Sequence, residues 1–170
     1  PEKGPAPSAI GGPFTLTAQD GTKISDKDLQ GRPFLVFFGF THCPDVCPTA
    51  LFEVTQVFSK LGPNAKISAL FITVDPERDS AQVLKTYTEF FHPRIIGLTG
   101  SPALVRRAAD NFKVRYAKVR DPDQPPERYA VDHSAGIYLI GPDGSFVKKF
   151  AYATQPVEMA DQIGQAMGER

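Results

Sequence analysis

The chain has only two cysteines, Cys43 and Cys47, and their spacing limits the chemistry that they can perform. If this segment is helical, thiols four residues apart lie on one face, with Cα atoms roughly 6 Å apart. That distance suits a structural disulfide, a reversible redox couple or a clip for one soft metal ion. The first turn of a helix would also favour thiolate over thiol. The alternatives without a chemical role are a structural disulfide and two buried thiols. Such a disulfide would add little stability because the loop that it closes is so short.

The segments on either side of the cysteines predict a strand followed by a helix. Residues 34–38 form an apolar run of the length of a buried strand, and Gly39 interrupts it. Apolar residues then recur at spacings of three and four as far as Gly62, which is typical of a helix. The thiols are therefore expected at the carboxyl end of a core strand, where α/β folds commonly place their functional sites.

Length and charge set the outer limits. The chain has 170 residues, which is enough for one domain with a full core, and Lys+Arg equals Asp+Glu at 19 each. Without a basic surplus, neither nucleic acid nor an anionic membrane surface is an expected partner. Residues 1–12 have the Pro- and Gly-rich composition of a flexible linker, so we expect one domain over residues 13–170. Because the first residue is Pro and not Met, the chain is expected to be a processed or truncated product. Because the domain begins with a linker, it is expected to be tethered to a segment upstream.

The remaining segments predict an α/β domain. Turn residues suggest a hairpin around Asp20, and an interrupted strand pattern over residues 114–132 suggests a second, inserted hairpin. Ser80 and Ser101 are expected to cap helices. The other predicted elements are strands near 67–74, 95–98, 135–140 and 145–150 and a last helix from 155. This order favours a mixed central sheet with helices on both faces, and with a thiol pair after the first core strand it resembles the thioredoxin fold with an N-terminal hairpin and an internal hairpin insertion.

Three motifs together resemble the Sco/SenC family, which comprises copper-binding, thioredoxin-like domains that help to assemble cytochrome c oxidase. They are Thr-His-Cys-Pro-Asp-Val-Cys-Pro at 41–48, Thr-Val-Asp-Pro-Glu-Arg-Asp at 73–79 and Val-Asp-His-Ser at 131–134. The resemblance covers about residues 12–167. It implies that Cys43, Cys47 and His133 are copper ligands.

The chemistry of these three side chains is compatible with that implication. Thiolates are soft donors that favour Cu(I), and imidazole suits either copper state. Thioredoxin-like folds usually place a cis proline close to the thiols, and Ala135 falls near that position here. The missing proline and the nearby His133 favour metal binding over disulfide exchange. Asp132 is expected to orient the His133 ring, and Asp75 is expected either near the metal site, holding a ligand or contacting a partner, or in a simple turn.

The resemblance implies a copper metallochaperone that delivers its ion to the dinuclear copper centre of cytochrome c oxidase subunit II. Expected partners are that subunit, a thioredoxin-like reductant and another periplasmic copper chaperone. The implied location is the bacterial periplasm, with an inner-membrane anchor upstream of Pro1. The alternative is a thiol–disulfide oxidoreductase that reduces the cysteines of the oxidase copper site through a redox-active Cys43 and Cys47. Three residues between the cysteines, where two are usual, count against that enzyme.

Overall fold

The computed structural model describes residues 10–43, 46–126, 129–133 and 136–168. The elements follow one another in this order: β1 (Thr15–Ala18), β2 (Lys23–Ser25), a 3-10 turn (Asp26–Leu29), β3 (Phe34–Gly39), α1 (Val46–Leu61), β4 (Ser68–Thr73), α2 (Ala81–Glu89), β5 (Ile95–Thr99), α3 (Pro102–Asn111), β6 (Tyr116–Arg120), β7 (Tyr129–His133), β8 (Ile137–Ile140), β9 (Phe146–Phe150) and α4 (Pro156–Gly168).

Seven strands form the main sheet, in the order β2-β1-β5-β4-β3-β8-β9. β3, β4 and β5 are parallel, whereas β1, β8 and β9 join antiparallel to their neighbours. The parallel strands are almost entirely buried, which agrees with their continuous apolar sequences. The mixed sheet and both predicted hairpins are therefore confirmed, and the N-terminal hairpin extends the sheet by pairing β1 with β5.

Consecutive residues of β3 face opposite sides of the sheet, and each side carries helices. Phe37 stacks on Phe71, which stacks in turn on Tyr87 of α2. Phe38 packs instead against Phe112, the residue that ends α3. α1 lies on the same face as Phe71, because its Cys47 is beside that ring, and α1 also contacts α4. Since α3 lies on the other face, the sheet is covered on both faces, as predicted.

Local signals account for where the helices begin. The hydroxyls of Ser80 and Ser101 accept hydrogen bonds from the backbone N–H groups of Val83 and Leu104, so both predicted caps are confirmed. The helix after β3 begins only at Val46, however. Cys43 therefore lies before α1, not within it, which differs from the fully helical arrangement considered for the pair.

The internal hairpin consists of β6 and β7, which pair antiparallel in a two-stranded sheet of their own. Tyr116 lies opposite His133, and Arg120 lies opposite Tyr129 at the far end. Among the described strands, neither β6 nor β7 pairs with the main sheet. The position of the internal hairpin against the domain is therefore set by side-chain contacts and not by strand pairing.

The N-terminal part of the described chain packs against the domain. The backbone N–H of Gly11 donates to the carbonyl oxygen of Asn111, and Ile10 is half-buried against the core. Among the described residues, no helix combines the length and apolarity that crossing a bilayer requires.

Candidate metal centre

The two sulfurs lie together at the carboxyl end of β3. Cys47 is in the first turn of α1 and is 0% exposed, and Cys43, in the preceding loop, is 9% exposed. The backbone N–H of Cys43 donates to the carbonyl oxygen of Phe40 at 3.2 Å. Both cysteines are reduced, and their side chains are hydrogen-bonded to each other. We call this region the sulfur pocket: Gly39, Cys43, Cys47 and the ring of Phe71.

Gly39 makes room for the buried sulfur. A Cβ atom at this position would lie 2.5 Å from Sγ of Cys47 and 2.8 Å from Cε1 of Phe71. Both distances are far below van der Waals contact, so no larger residue fits without movement of core groups. The break that Gly39 makes in the apolar run is thus a space requirement of the sulfur pocket.

The surroundings of Cys47 disfavour its thiolate when no cation is present. Its hydrogen bond to Cys43 raises the pKa of the Cys47 thiol most, and burial raises it further. The negative charges of Cys43 and Asp79 act in the same direction. In the metal-free protein Cys47 therefore keeps its proton, and a cation entering the sulfur pocket would displace it.

Asp79 is completely buried and holds the cysteine loop against β4. Its Oδ1 accepts a hydrogen bond from the Thr41 hydroxyl at 2.6 Å, and its Oδ2 accepts from the Thr41 backbone N–H at 3.0 Å and the Thr73 hydroxyl at 2.8 Å. The sequence offered no signal for this role, since Thr41 and Asp79 are 38 residues apart. Motif 73–79 thus supports motif 41–48 directly.

Asp75 is 2% exposed and sits in the same loop between β4 and α2, but its carboxylate has other partners. Its Oδ2 accepts from Nε of Arg78 at 2.5 Å, and its Oδ1 accepts from the hydroxyl of Tyr129 at 2.7 Å. Burial, followed by this hydrogen bond, raises the pKa of Tyr129 to about 12. Asp75 therefore connects the β4–α2 loop to the internal hairpin, a contact that sequence reasoning missed because Tyr129 belongs to no recognisable motif.

His42 is the exposed neighbour of Cys43, and its ring lies near both carboxylates. Ligand atoms of His42, Asp75 and Asp79 all fall within 4.8 Å of one another. The hydrogen bonds described above already occupy the oxygens of both carboxylates. A metal ion at this place would have to displace buried hydrogen bonds, which makes the group a poor site.

The structure places His133 and Asp132 by their backbone alone. They are the last two residues of β7, opposite Tyr116 and Ala117. Their side chains lie outside what the structure describes, as does all of Ala135. Of the predicted site residues, the structure thus brings together Cys43 and Cys47 and sets Asp75 between their loop and the strand that bears His133.

The fold and the sulfur pocket together define a thioredoxin-like domain with a reduced pair of cysteines at the carboxyl end of its central parallel strands. The family model described as SCO1/SenC matches residues 2–168. The chain therefore belongs to the SCO1/SenC family, as the three motifs predicted.

Individual relatives agree with this membership. The Arabidopsis thaliana protein named "Protein SCO1 homolog 1, mitochondrial" is 43% identical over 143 residues, which cover 83% of this chain and 42% of that protein. Copper-bound ScoI of Bradyrhizobium japonicum is 46% identical, with a TM-score of 0.83 over 91% of this chain and 98% of its own. BsSco, described as a member of the Sco family of cytochrome c oxidase assembly proteins, is 29% identical, with a TM-score of 0.72 over 94% of each chain.

Proposed function

We propose that this domain is a copper metallochaperone of cytochrome c oxidase assembly. It binds one copper ion through Cys43, Cys47 and His133 and delivers it to the dinuclear copper centre of oxidase subunit II. The observation that carries the proposal is the sulfur pocket, in which two reduced thiols touch and Gly39 leaves room for one of them. Copper is the cargo of this reaction. The copper-bound ScoI of Bradyrhizobium japonicum, a close relative in sequence and fold, supports the choice of metal.

The charges around the sulfurs favour a cation. The hydrogen bond with Cys43 and burial keep Cys47 protonated without metal, and repulsion from the negative charges of Cys43 and Asp79 adds to this effect. Copper binding releases the thiol protons and offsets that repulsion. Soft thiolates select copper over the hard cations that carboxylates prefer.

The third ligand comes from the internal hairpin. Alternate residues of a strand share a face, and His133 stands in the same alternation of β7 as Tyr129 and Val131. Tyr129 contacts Asp75, and Val131 is buried. The face of β7 that carries positions 129, 131 and 133 is therefore the face that meets the domain. Asp132 orients the imidazole of His133 in this proposal, and Asp75 acts on the hairpin and not as a ligand.

The proposed partners follow from the chemistry of the pair. Only reduced thiols bind copper, so a thioredoxin-like reductant must act on any Cys43–Cys47 disulfide. Another periplasmic copper chaperone would supply the ion. The proposed location is the bacterial periplasm, with an inner-membrane anchor upstream of Pro1.

A second candidate function is thiol–disulfide exchange with the cysteines of the same oxidase subunit. The contact between Cys43 and Cys47 favours it, because the two sulfurs are placed to form a disulfide. The burial and raised pKa of Cys47 oppose it, since the thiolate is the nucleophile in exchange. Cys43, the more exposed of the two, would have to be the attacking group.

A copper titration of the reduced protein tests the proposal. We expect one copper ion per chain and an intense thiolate-to-Cu(II) charge-transfer band. His133→Ala should weaken or abolish that band because the site loses its imidazole. His42→Ala is the matched control, since His42 adjoins Cys43 and is exposed, and it should leave the band unchanged.

Two outcomes would contradict the proposal. Loss of the band in His42→Ala with no change in His133→Ala would show that His42, and not His133, supplies the imidazole ligand. Rapid disulfide reduction that neither variant alters, without stoichiometric copper binding, would favour the oxidoreductase.

A further inference from the structure

The internal hairpin depends on a few side chains for its position. β6 and β7 form a separate sheet, and a groove of about 490 Å³ lies between them and the β4–α2 loop. Asp75, Arg106, Tyr116 and Lys118 are among the residues that line it. A hairpin that is not part of the main sheet has no ladder of backbone hydrogen bonds to fix its distance from the sulfur pocket.

One partly buried polar contact joins the hairpin to the β4–α2 loop. The hydroxyl of Tyr129 donates to Oδ1 of Asp75 at 2.7 Å, and the guanidinium of Arg78 lies 3.7 Å from the centre of the Tyr129 ring. Arg78 also donates to Oδ2 of the same carboxylate. We call these three residues the Tyr129 anchor. A hydrogen bond to a buried, ionised acceptor is among the stronger ones in proteins, and the cation over the ring adds to it.

The β4–α2 loop also holds the cysteines. The carbonyl oxygen of Asp75 accepts from the backbone N–H groups of Arg78 and Asp79, which makes the loop a tight turn. Asp79 then binds the hydroxyl and backbone of Thr41, two residues before Cys43. One rigid turn therefore contacts the cysteine loop through Asp79 and the hairpin through Asp75.

Other contacts of the hairpin are more exposed. Lys118 pairs with Glu77, and both side chains are about half exposed, at 51% and 57%. Arg106 lies 3.9 Å from the centre of the Tyr116 ring. Exposed ion pairs contribute little, so the partly buried Tyr129 anchor is the polar contact best able to define the position of β7.

We propose that Tyr129 and Asp75 are positioning residues for metal binding: their hydrogen bond sets the strand that ends at His133 at the distance from Cys43 and Cys47 that lets three side chains share one ion. This rests on the metal site proposed above and adds a determinant of its affinity that lies outside the ligands. Breaking the bond frees the hairpin while both sulfurs stay in place, so it weakens the imidazole contribution selectively.

Tyr129→Phe tests the proposal, because it removes one hydroxyl and keeps the ring beside Arg78. Cu(II) is added anaerobically to the reduced protein, and its affinity is measured by competition with a chelator. Loss of an outer-shell contact typically lowers metal affinity about 10-fold to 100-fold, and we expect a loss in that range. The nitrogen hyperfine splitting in the Cu(II) electron paramagnetic resonance spectrum should weaken in parallel, which a merely structural role would not cause.

Tyr116→Phe is the matched control. It makes the same chemical change in the same hairpin, directly opposite His133. Tyr116 is half-buried and the change removes only its hydroxyl, so copper affinity should stay within about twofold of the wild type. Asp75→Asn should weaken copper binding as Tyr129→Phe does. The double variant should bind copper no more weakly than the weaker-binding single variant, because both substitutions break the same contact.

The outcomes separate the two proposals. An affinity that depends on His133 but is unchanged in Tyr129→Phe overturns the positioning role and leaves the metallochaperone intact. Equal losses in Tyr129→Phe and Tyr116→Phe also overturn it, because the effect would then belong to the hairpin in general. An affinity that does not depend on His133 overturns both.

Discussion

The sulfur pocket and the internal hairpin are built in different ways. Cys47 is fully buried beside Phe71, and its loop is held by a carboxylate with no solvent exposure. The strand that ends at His133 lies in a two-stranded sheet, and Tyr129 provides a partly buried polar contact with the domain. The difference teaches that in the proposed site two donors are fixed by the core, while the third depends on a contact that can break. That division suits a protein that must first hold an ion and then release it.

The largest expected effect is at the rigid side of this comparison. Gly39→Ala would place a methyl group 2.5 Å from Sγ of Cys47, so the sulfur or the Phe71 ring must move. Overpacking of this kind costs about 1–3 kcal/mol, and we expect that loss of unfolding free energy together with a clear loss of copper affinity. Denaturant unfolding and a copper titration measure the two.

Gly164→Ala in α4 is its control. A Cβ at Gly164 would meet no atom within 4 Å, and alanine favours helices by about 0.5–1 kcal/mol over glycine. It should therefore stabilise the domain slightly and leave copper binding unchanged. If Gly39→Ala behaves in the same way, the sulfur pocket is less rigid than the comparison requires.

An intermediate effect should appear in the pH dependence of the reduced, metal-free protein. The pKa of Cys47 is raised in the folded state, so above the ordinary thiol value of 9.0 the unfolded chain loses a proton that the folded one keeps. Because the folded state then binds more protons, stability is fully present below that pH and is lost as pH rises. One such group changes the unfolding free energy by at most about 1.4 kcal/mol per pH unit. Urea unfolding between pH 8 and pH 10 measures it.

Cys47→Ser should remove that slope, since serine does not titrate in this range. Equal slopes in the wild type and Cys47→Ser below pH 10 would show that Cys47 does not control the pH dependence of stability in this range.

The hairpin should lose stability only at higher pH. Because the pKa of Tyr129 is raised to about 12, its contribution to stability is lost as pH rises from the ordinary value of 10.0 toward 12.

The smallest expected effect is at the exposed side of the hairpin. Glu77→Gln removes the ion pair with Lys118, whose partners are about half exposed, and should change stability by less than about 1 kcal/mol. Copper affinity should stay at the wild-type value. A loss as large as that of Tyr129→Phe would mean that general charge attraction holds the hairpin, and added salt would then weaken copper binding in the wild type.

The features that could be predicted from sequence are those with local causes. The apolar run before Gly39 predicts β3, and Ser80 and Ser101 predict the starts of α2 and α3, because strand burial and helix capping depend on neighbouring residues. The turn at Asp20–Gly21 likewise predicts the hairpin of β1 and β2. The pairing of β1 with β5 could not be predicted, since it joins segments about 80 residues apart with no pattern in common.

The same distinction applies to the metal centre. Cys43 and Cys47 are recognisable by type and spacing, whereas the sequence left Asp75 either near them or in a simple turn. The partners that give Asp75 and Asp79 their roles are 54 and 38 residues away, Tyr129 and Thr41. Polar contacts of that sequence separation leave no periodic trace, and only the folded chain shows which carboxylate faces the hairpin and which faces the cysteine loop.

Gly39, Cys43, Cys47, Phe71 and Asp79 all belong to the first half of the chain, whereas the strand of His133 comes much later. Domains generally fold as units. A polypeptide that has grown only as far as β5 therefore carries both cysteines but lacks β8, the antiparallel neighbour of β3. The enclosed sulfur pocket forms only once β8 has been added, so both thiols stay accessible to oxidants until then.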